Sequence, residues 1–486
     1  MRHNQNICDF LVAAARESNN KIIFGQQEKS YKELYDESKE IGKILDEYIG
    51  VKNIGIYLPN CIDFIESYFA VQMAVKVPVL ISVLETEDSL ARLIKDVDIT
   101  LVITNSEYYH TAVQAISKVE HKCYVFVVDT KEISDNKKSQ FAKSKLEDES
   151  KQIAAIIKTS GTSGIQKYVM LTHKGVIKNL EAHIKSVGFT KDDITLIQLP
   201  MCFGYCFSSQ LLAHIYLQAN IVINETPFDC RQLVDLVNKY KITNTTIVPS
   251  MLYVLALFLK KTRLTMNSLQ SLLFGGMSVS LTTIQNLLIS LKYTKLVETY
   301  GQTEHSPRIT TKVFDPTHLT KSVGKPIEGV SIRIDDKTQE ICVKSNCIMM
   351  GYYGNQMLTN ETVIDGWLHT GDVGYMESGE LYIIGRIKNI LIRNGINISP
   401  EEIEETILEI AGVSKVVVYG KKDEVVGEIP IAVVELKQGY EEDDVRKQII
   451  SYCKKVLPLY KNPSMIVFSE SIKTTYTGKV KRNEYY

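Results

Sequence analysis

Short apolar strands alternate with amphipathic helical stretches along most of this chain, and no other feature restricts its fold so strongly. The strands read Ile54 to Leu58, Leu101 to Thr104, Tyr124 to Val128, Ala154 to Ile157, Leu196 to Leu199, Thr246 to Val248 and Leu272 to Phe274. Strands that are apolar throughout are covered on both faces, and helices between them favour parallel pairing, so the pattern predicts largely parallel α/β sheets. The helix starts are legible: Ser30 with Glu33 forms a capping box, followed by Leu34, Ile41 and Leu45 on one face. Beyond Thr310 the strands shorten and turn residues multiply, at Ser331 to Ile334, Glu340 to Val343 and Gly379 to Ile384, which predicts a β-rich subdomain.

Around Gly385 to Asn389 the chain enters a last stretch of roughly a hundred residues, a usual size for an independent small domain. The boundary is drawn there, giving a large unit over 1–387 and a small α+β unit over 388–486. In the small unit Ser399, Pro400 and Glu402 predict a cap, a first-turn proline and a box partner. Val416 to Val418 and Ile431 to Leu436 read as strands, and Asp443 to Val456 as a helix. The acid run Glu147 to Glu149 reads as a solvated loop.

Charge excludes some partners. Lys and Arg total 56 against 57 Asp and Glu, interspersed without a basic stripe, so nothing supports nucleic-acid binding. Nine cysteines without a CxxC pair and nine scattered histidines indicate neither a zinc site nor a disulfide framework, which fits a reducing compartment. The start, MRHNQNICDF, lacks a signal-type apolar core, and runs such as Leu252 to Leu259 are too short to span a bilayer. The expectation is a cytoplasmic protein of enzyme size without a membrane span.

The segment Thr159 to Lys167, TSGTSGIQK, follows an apolar strand and is suited to phosphate. Gly161 and Gly164 let backbone N–H groups point inward, Thr159, Ser160, Thr162 and Ser163 add hydroxyl donors, and Lys167 adds a positive charge. It is not a Walker loop, because Lys167 stands three residues beyond Gly164 instead of directly after it. Taken alone, such a cluster is more often a plain turn.

Further motifs follow in order: LFGGMS at Leu273 to Ser278, ETYGQTEHS at Glu298 to Ser306, GYYGN from Gly351, WLHTGD at Trp367 to Asp372, the run from Gly385 to Glu404, and TTYTGKVKR at Thr474 to Arg482. Together with the loop they resemble the adenylate-forming superfamily: acyl-CoA synthetases, aryl acid ligases, nonribosomal peptide adenylation domains and beetle luciferases. The resemblance covers nearly the whole chain. It implies that a carboxylate attacks the α-phosphate of ATP to give an acyl adenylate and pyrophosphate, after which a thiol takes the acyl group. An anion must approach a polyanion, so positive charge and donors have to converge on one phosphorus.

By the same resemblance the Thr159 to Lys167 loop holds the β- and γ-phosphates. Thr303 touches the α-phosphate and Glu304 helps bind Mg²⁺, since a carboxylate among phosphates makes sense only through a cation. Gly275, Gly276 and Met277 line the nucleotide and acyl pocket, Tyr300 lies against the adenine, and Gly301 and Gln302 complete the nucleotide site. Asp372 accepts from the ribose hydroxyls with Arg386 assisting. Lys479 bridges carboxylate and α-phosphate in the first half reaction. Lys388 is the hinge about which a mobile small domain rotates, and Gly395 leaves room for a pantetheine arm. Without that company Glu304 would be a helix-start acid, Asp372 a turn residue and Lys479 one cation in a basic tail.

Departures from the family pattern are Gln166 where proline is common, Tyr168 where glycine is common, no proline ahead of the Lys479 motif, and Phe203 or its neighbour in place of a frequent histidine. Phe203, Gly204 and Tyr205 are the candidate acyl pocket. No Asp or Glu occurs from Ile194 to Asn224, so an α-amino acid substrate, whose ammonium needs a partner, is disfavoured against an aliphatic or aromatic carboxylic acid. The expected activity is an ATP- and Mg²⁺-dependent acid:thiol ligase, with CoA as acceptor or, alternatively, the phosphopantetheine of an acyl or peptidyl carrier protein. A silent scaffold homologue and a luciferase-type oxygenase are more distant readings.

Overall fold

The alternating elements build two large sheets. In an eight-stranded sheet Asn53–Tyr57, Val77–Ile81, Ile99–Thr104, Tyr124–Val127 and Ile153–Ser160 run parallel, and Gln166–Thr172 turns back antiparallel to the last. A nine-stranded sheet repeats the plan with Lys21–Phe24, Ile194–Ile197, Asn220–Ile223, Asn244–Ile247, Ser271–Gly275 and Lys295–Gly301 parallel, and Arg308–Val313 antiparallel beside Lys295–Gly301. Asn53–Tyr57 and Val77–Ile81 are buried at every position, as strands covered on both faces must be. The computed structural model describes residues 6–47, 51–133, 152–160, 166–224, 226–394, 396–423, 425–474, 480, 482 and 485. Glu147 to Glu149, Gly161 to Gly164, Gly395 and Lys479 lie outside the described residues.

Every expected strand is present, with shifts at the ends that have local causes. The strand expected at Leu196 to Leu199 stops at Ile197, and the Leu199 carbonyl instead accepts from Asn60 Nδ2 at 2.9 Å. Val248 is not a strand residue: it is the cap of the helix Pro249–Thr262, whose proline sits in the first turn. The capping box at Ser30 and Glu33 forms with both reciprocal hydrogen bonds.

After residue 330 a five-stranded sheet forms from Ser331–Ile334, Glu340–Lys344, Val363–Ile364, Trp367–Glu377 and Glu380–Arg386, all paired antiparallel. A last five-stranded sheet contains Leu391–Arg393, Ile396–Ile398, Val413–Asp423, Gly427–Leu436 and Met465–Phe468, with helices Pro400–Leu408 and Glu442–Val456 packed on it. Its core, including Leu391, Ile403, Ile407, Val434 and Ile449, is a cluster of its own. The cap expectation there needs one correction. Ser399 Oγ does accept from the Glu402 backbone N–H, but the Glu402 carboxylate is taken by Lys461 at 2.6 Å, and Ser399 donates to Glu401 at 2.9 Å. A charged partner outcompetes the reciprocal box bond.

Candidate active site

Three sheets deliver the motif residues to one region. Tyr300, near the end of Lys295–Gly301, reaches across to the antiparallel sheet and donates to Asp372 Oδ2 at 2.7 Å. Asp372 and Arg386 are cross-strand neighbours, and Arg386 Nε holds Asp372 Oδ1 at 2.8 Å. The buried Asp372 carboxylate is thus held from two sides, its oxygens fixed toward two separate donors. Burial, and then the Asp372 charge, push the Tyr300 phenol well above the ordinary tyrosine range, so it remains a donor. The turn before Asp372 is supported from the next strand: Glu340 Oε1 accepts from Gly371 N at 2.9 Å, and Glu340 Oε2 pairs with His369 Nδ1 at 2.8 Å. With Cys342 these groups lie within 4.8 Å of one another, so pairing across the sheet gathers metal-ligand types that sequence spacing had kept apart.

The eight-stranded sheet supplies Lys167 and Tyr352. Thr159 pairs with Lys167 and Ser160 with Gln166, so both ends of the loop sit side by side at the strand tips. Lys167 Nζ donates to the Tyr352 hydroxyl at 3.3 Å, and that hydroxyl donates to Glu304 Oε1 at 2.9 Å. Burial lowers the Lys167 pKa, Glu304 opposes the shift, and Lys388 and Arg386 add to it. Lys388, in the turn Ile387–Asn389, is therefore in electrostatic reach of Lys167. Tyr168, standing where glycine was expected, is buried with its hydroxyl 2.9 Å from both Asp96 Oδ2 and Gln166 Oε1, which ties the strand down beside the loop.

Backbone closeness explains the glycines. A Cβ on Gly275 would lie 2.1 Å from the Thr299 carbonyl oxygen, and one on Gly301 would lie 1.9 Å from that of Pro307, so the paired strands require glycine at both. Gly276 adopts φ +93° and Met277 beyond it is exposed, turning the chain away from the strand tip. Gln302 donates its backbone N–H to Pro307 at 2.9 Å and leads into the short turn Thr303–His305. Gly204 abuts Thr303, whose side chain would stand 3.3 Å from an added Cβ. This contact joins the segment from Phe203 to Tyr205 to the segment from Glu298 to Ser306. Tyr205 next to it hydrogen-bonds Thr299 Oγ1 at 2.9 Å, and Phe203 packs on the main core.

The chain matches the AMP-binding enzyme family over residues 10–353, and the AMP-binding enzyme C-terminal domain over residues 402–479. It belongs to the AMP-binding enzyme family. A 4-coumarate-CoA ligase of Narcissus pseudonarcissus is 25% identical, aligned over 95% of this chain and 89% of that one. A long-chain-fatty-acid–CoA ligase of Salmonella typhimurium is also 25% identical, over 94% of this chain and 89% of its own length. Among solved structures, an o-succinylbenzoate CoA synthetase from Bacillus subtilis bound to its acyl-adenylate intermediate superimposes with a TM-score of 0.85 and 24% identity, covering 98% of this chain and 97% of that chain. This AMP-binding enzyme is accordingly of the acyl- or aryl-CoA ligase type. Among the described residues no helix is long and apolar enough to cross a membrane.

Sequence reasoning missed two parts of this AMP-binding enzyme's site. Tyr352 was visible only as part of GYYGN, and its link between Lys167 and Glu304 depends on the pairing of Gly351–Tyr352 with the strand after the phosphate loop. Arg308 was not singled out at all. It is 2% exposed, its guanidinium lies 4.3 Å over the Tyr205 ring, and Nε and Nη2 have no hydrogen-bond partner among the described residues. A desolvated cation–π contact contributes about 2 kcal/mol, whereas burying an ion costs several kcal/mol even after relaxation. The ring does not offset the burial. The one signal in the sequence is that Arg308 opens RITTKV, a strand otherwise expected to bury an apolar or small side chain there.

Proposed function

We propose that this chain activates a carboxylic acid with ATP, releasing pyrophosphate and forming an acyl adenylate, and then passes the acyl group to the thiol of CoA. The observation that carries the reading is the convergence of Asp372, Tyr300 and Arg386 with Lys167, Tyr352 and Glu304 at the meeting of three sheets. In this reading Asp372 accepts from the ribose hydroxyls while Arg386 holds it in place. Lys167 neutralises the departing phosphates, and the partly buried ammonium acts with less screening than it would in water. Thr303 donates to the α-phosphate, against which Gly204 leaves room for the incoming acid.

Glu304 suits a divalent cation: it offers hard carboxylate oxygens, one already oriented by Tyr352. When bound, Mg²⁺ would neutralise charge on the phosphate oxygens and polarise them toward attack. The segment 388–486 is taken as the small domain, with Lys388 as hinge, Lys479 as the cation that aligns carboxylate and α-phosphate, and Gly395 as the wall of the thiol passage. Alignment of the two anions can lower the barrier by roughly 7–11 kcal/mol.

Labelled pyrophosphate exchange into ATP, dependent on an added acid and on Mg²⁺, tests adenylation. Lys479→Ala is expected to abolish exchange yet spare thioester formation from supplied acyl adenylate. Equal loss of both half reactions would refute this division of labour. Thioester formed only with a holo carrier protein, and never with free CoA, would reassign the acceptor.

A further inference from the structure

Arg308 stands opposite Gly301 in the strand register, where no side chain competes for space. Ile309 beside it points into a cluster with Ile341, Val343 and Leu381. Arg308 takes the other face, toward Tyr205 and the helix His173–Val187. Its backbone is clamped: Asn179 Oδ1 accepts from Arg308 N at 3.0 Å, Asn179 Nδ2 donates to Arg308 O at 2.8 Å, and His305 Nδ1 lies 2.7 Å from the same carbonyl. The guanidinium is thus presented by a rigid support, not by a mobile loop.

More buried polar groups lie on the elements packed nearby. His183, fully buried and one turn along from Asn179, has neither ring nitrogen hydrogen-bonded, and the hydroxyls of Ser208 and Ser209 lack partners too, all among the described residues. Ser208 and Ser209 belong to a π-helical turn, Phe207–Leu212, a widened geometry that recurs at functional sites. Burial, then the Arg308 and His214 charges, hold the His183 imidazole well below its usual range, so it is neutral and keeps one N–H to donate. Among the described residues no carboxylate pairs with this arginine, and the Asp- and Glu-free run from Ile194 to Asn224 makes up the neighbouring wall. Buried polar groups without partners call for an explanation, and a bound ligand supplies one.

We propose that Arg308, with Ser209 and His183 beside it, receives a second carboxylate on the acid substrate, so that the preferred substrate is a short dicarboxylic acid. Nε and Nη2 form one edge of the guanidinium, the edge that a carboxylate engages through two parallel hydrogen bonds. Arginine keeps its charge in this setting, whereas a lysine could have shed its proton. The acid is short because Tyr205, under the guanidinium, is adjacent in sequence to Gly204, which abuts Thr303. A monocarboxylate would leave the cation desolvated and unanswered. An α-amino acid would set its ammonium in a wall with no acid to pair it.

The inference rests on the adenylation reading, and one experiment separates their failures. Pyrophosphate exchange is measured with malonate, succinate and glutarate, and with monocarboxylates in which methyl or ethyl replaces the distal carboxylate. The best diacid is expected to exceed the best monoacid by at least about a hundredfold in kcat/KM, as sites built around a polar group reject analogues lacking it. Arg308→Met should bring that ratio to about one or invert it with KM for ATP unchanged, and Arg308→Lys should retain part of the preference. Exchange with monoacids at equal or better efficiency in the unaltered enzyme, or a ratio unmoved by Arg308→Met, overturns the diacid assignment alone. Exchange with no acid of any kind overturns the adenylation reading and this inference with it. Should Arg308→Met not fold, the ratio in the unaltered enzyme and in Arg308→Lys decides.

Discussion

Two arginines flank the candidate site and live under opposite conditions. Arg386 holds Asp372 at 2.8 Å and keeps part of its side chain in solvent. Arg308 is enclosed, lies on an aromatic ring, and has two guanidinium nitrogens without hydrogen-bond partners among the described residues. The first is a completed ion pair that, with Tyr300, fixes the orientation of the Asp372 carboxylate. The second is half of an ion pair whose other half is absent from its surroundings. A protein whose stability is small against its opposing terms keeps such a charge only where something is gained, and recognition is the gain the surroundings support.

The comparison breaks most visibly at the completed pair. Asp372→Ala removes the acceptor of both Arg386 and Tyr300, and is expected to lower kcat/KM for ATP by about a thousandfold, about 4 kcal/mol, the range found when one partner of a buried charge pair is deleted. Steady-state exchange kinetics would check it, and a loss below about tenfold would mean that the carboxylate does not serve the nucleotide.

A third charge on the same pair of strands sharpens the contrast. Glu298 faces Lys312 in register, but Lys312 Nζ donates to the Ser322 carbonyl and the Thr320 hydroxyl, and burial pushes the Glu298 carboxyl up to about 8. The folded protein therefore holds that proton up to about pH 8, while the unfolded chain releases it near 4.5. The Glu298 contribution falls as pH rises between those values and levels off above them. Glu298→Gln should remove that decline, a difference on the order of 3 kcal/mol across the window. Urea melts from pH 5 to 8.5 would show it as a flatter profile than that of the unaltered protein.

Arg308→Met should stabilise the ligand-free protein by about 2 kcal/mol, since replacing buried charge with an apolar side chain of similar length is often favourable. Denaturant midpoints decide it, and destabilisation instead would mean that the arginine is satisfied within the fold. The smallest effect is expected at Tyr352→Phe, which cuts the link from Lys167 to Glu304. The loss of about 1 kcal/mol should appear as a several-fold rise in KM for ATP with kcat little changed.

Much of the fold was legible because its signals are local. The box at Ser30 and Glu33 and buried strands such as Asn53–Tyr57 each depend on a handful of neighbouring residues. The Glu402 box partner misled for the complementary reason: Lys461 is far along the chain, and a charged partner brought in by the fold displaced the local one. Gly275 and Gly301 were read as parts of the nucleotide site, and the carbonyls of Thr299 and Pro307 that require glycine there became identifiable only once the strands were paired.

The order and chemistry of the motifs, read from residues alone, determined the class of this protein and the identity of most candidate site groups, because phosphate, ribose and carboxylate impose side-chain types that survive as short patterns. Tertiary structure decided which charges find partners. Whether Asp372 meets Arg386, whether Tyr352 spans Lys167 and Glu304, and whether Arg308 meets any carboxylate depend on strand register between distant segments. A missing partner leaves no local pattern in a sequence, since it is a property of everything packed around a group and not of the group's own neighbours in the chain.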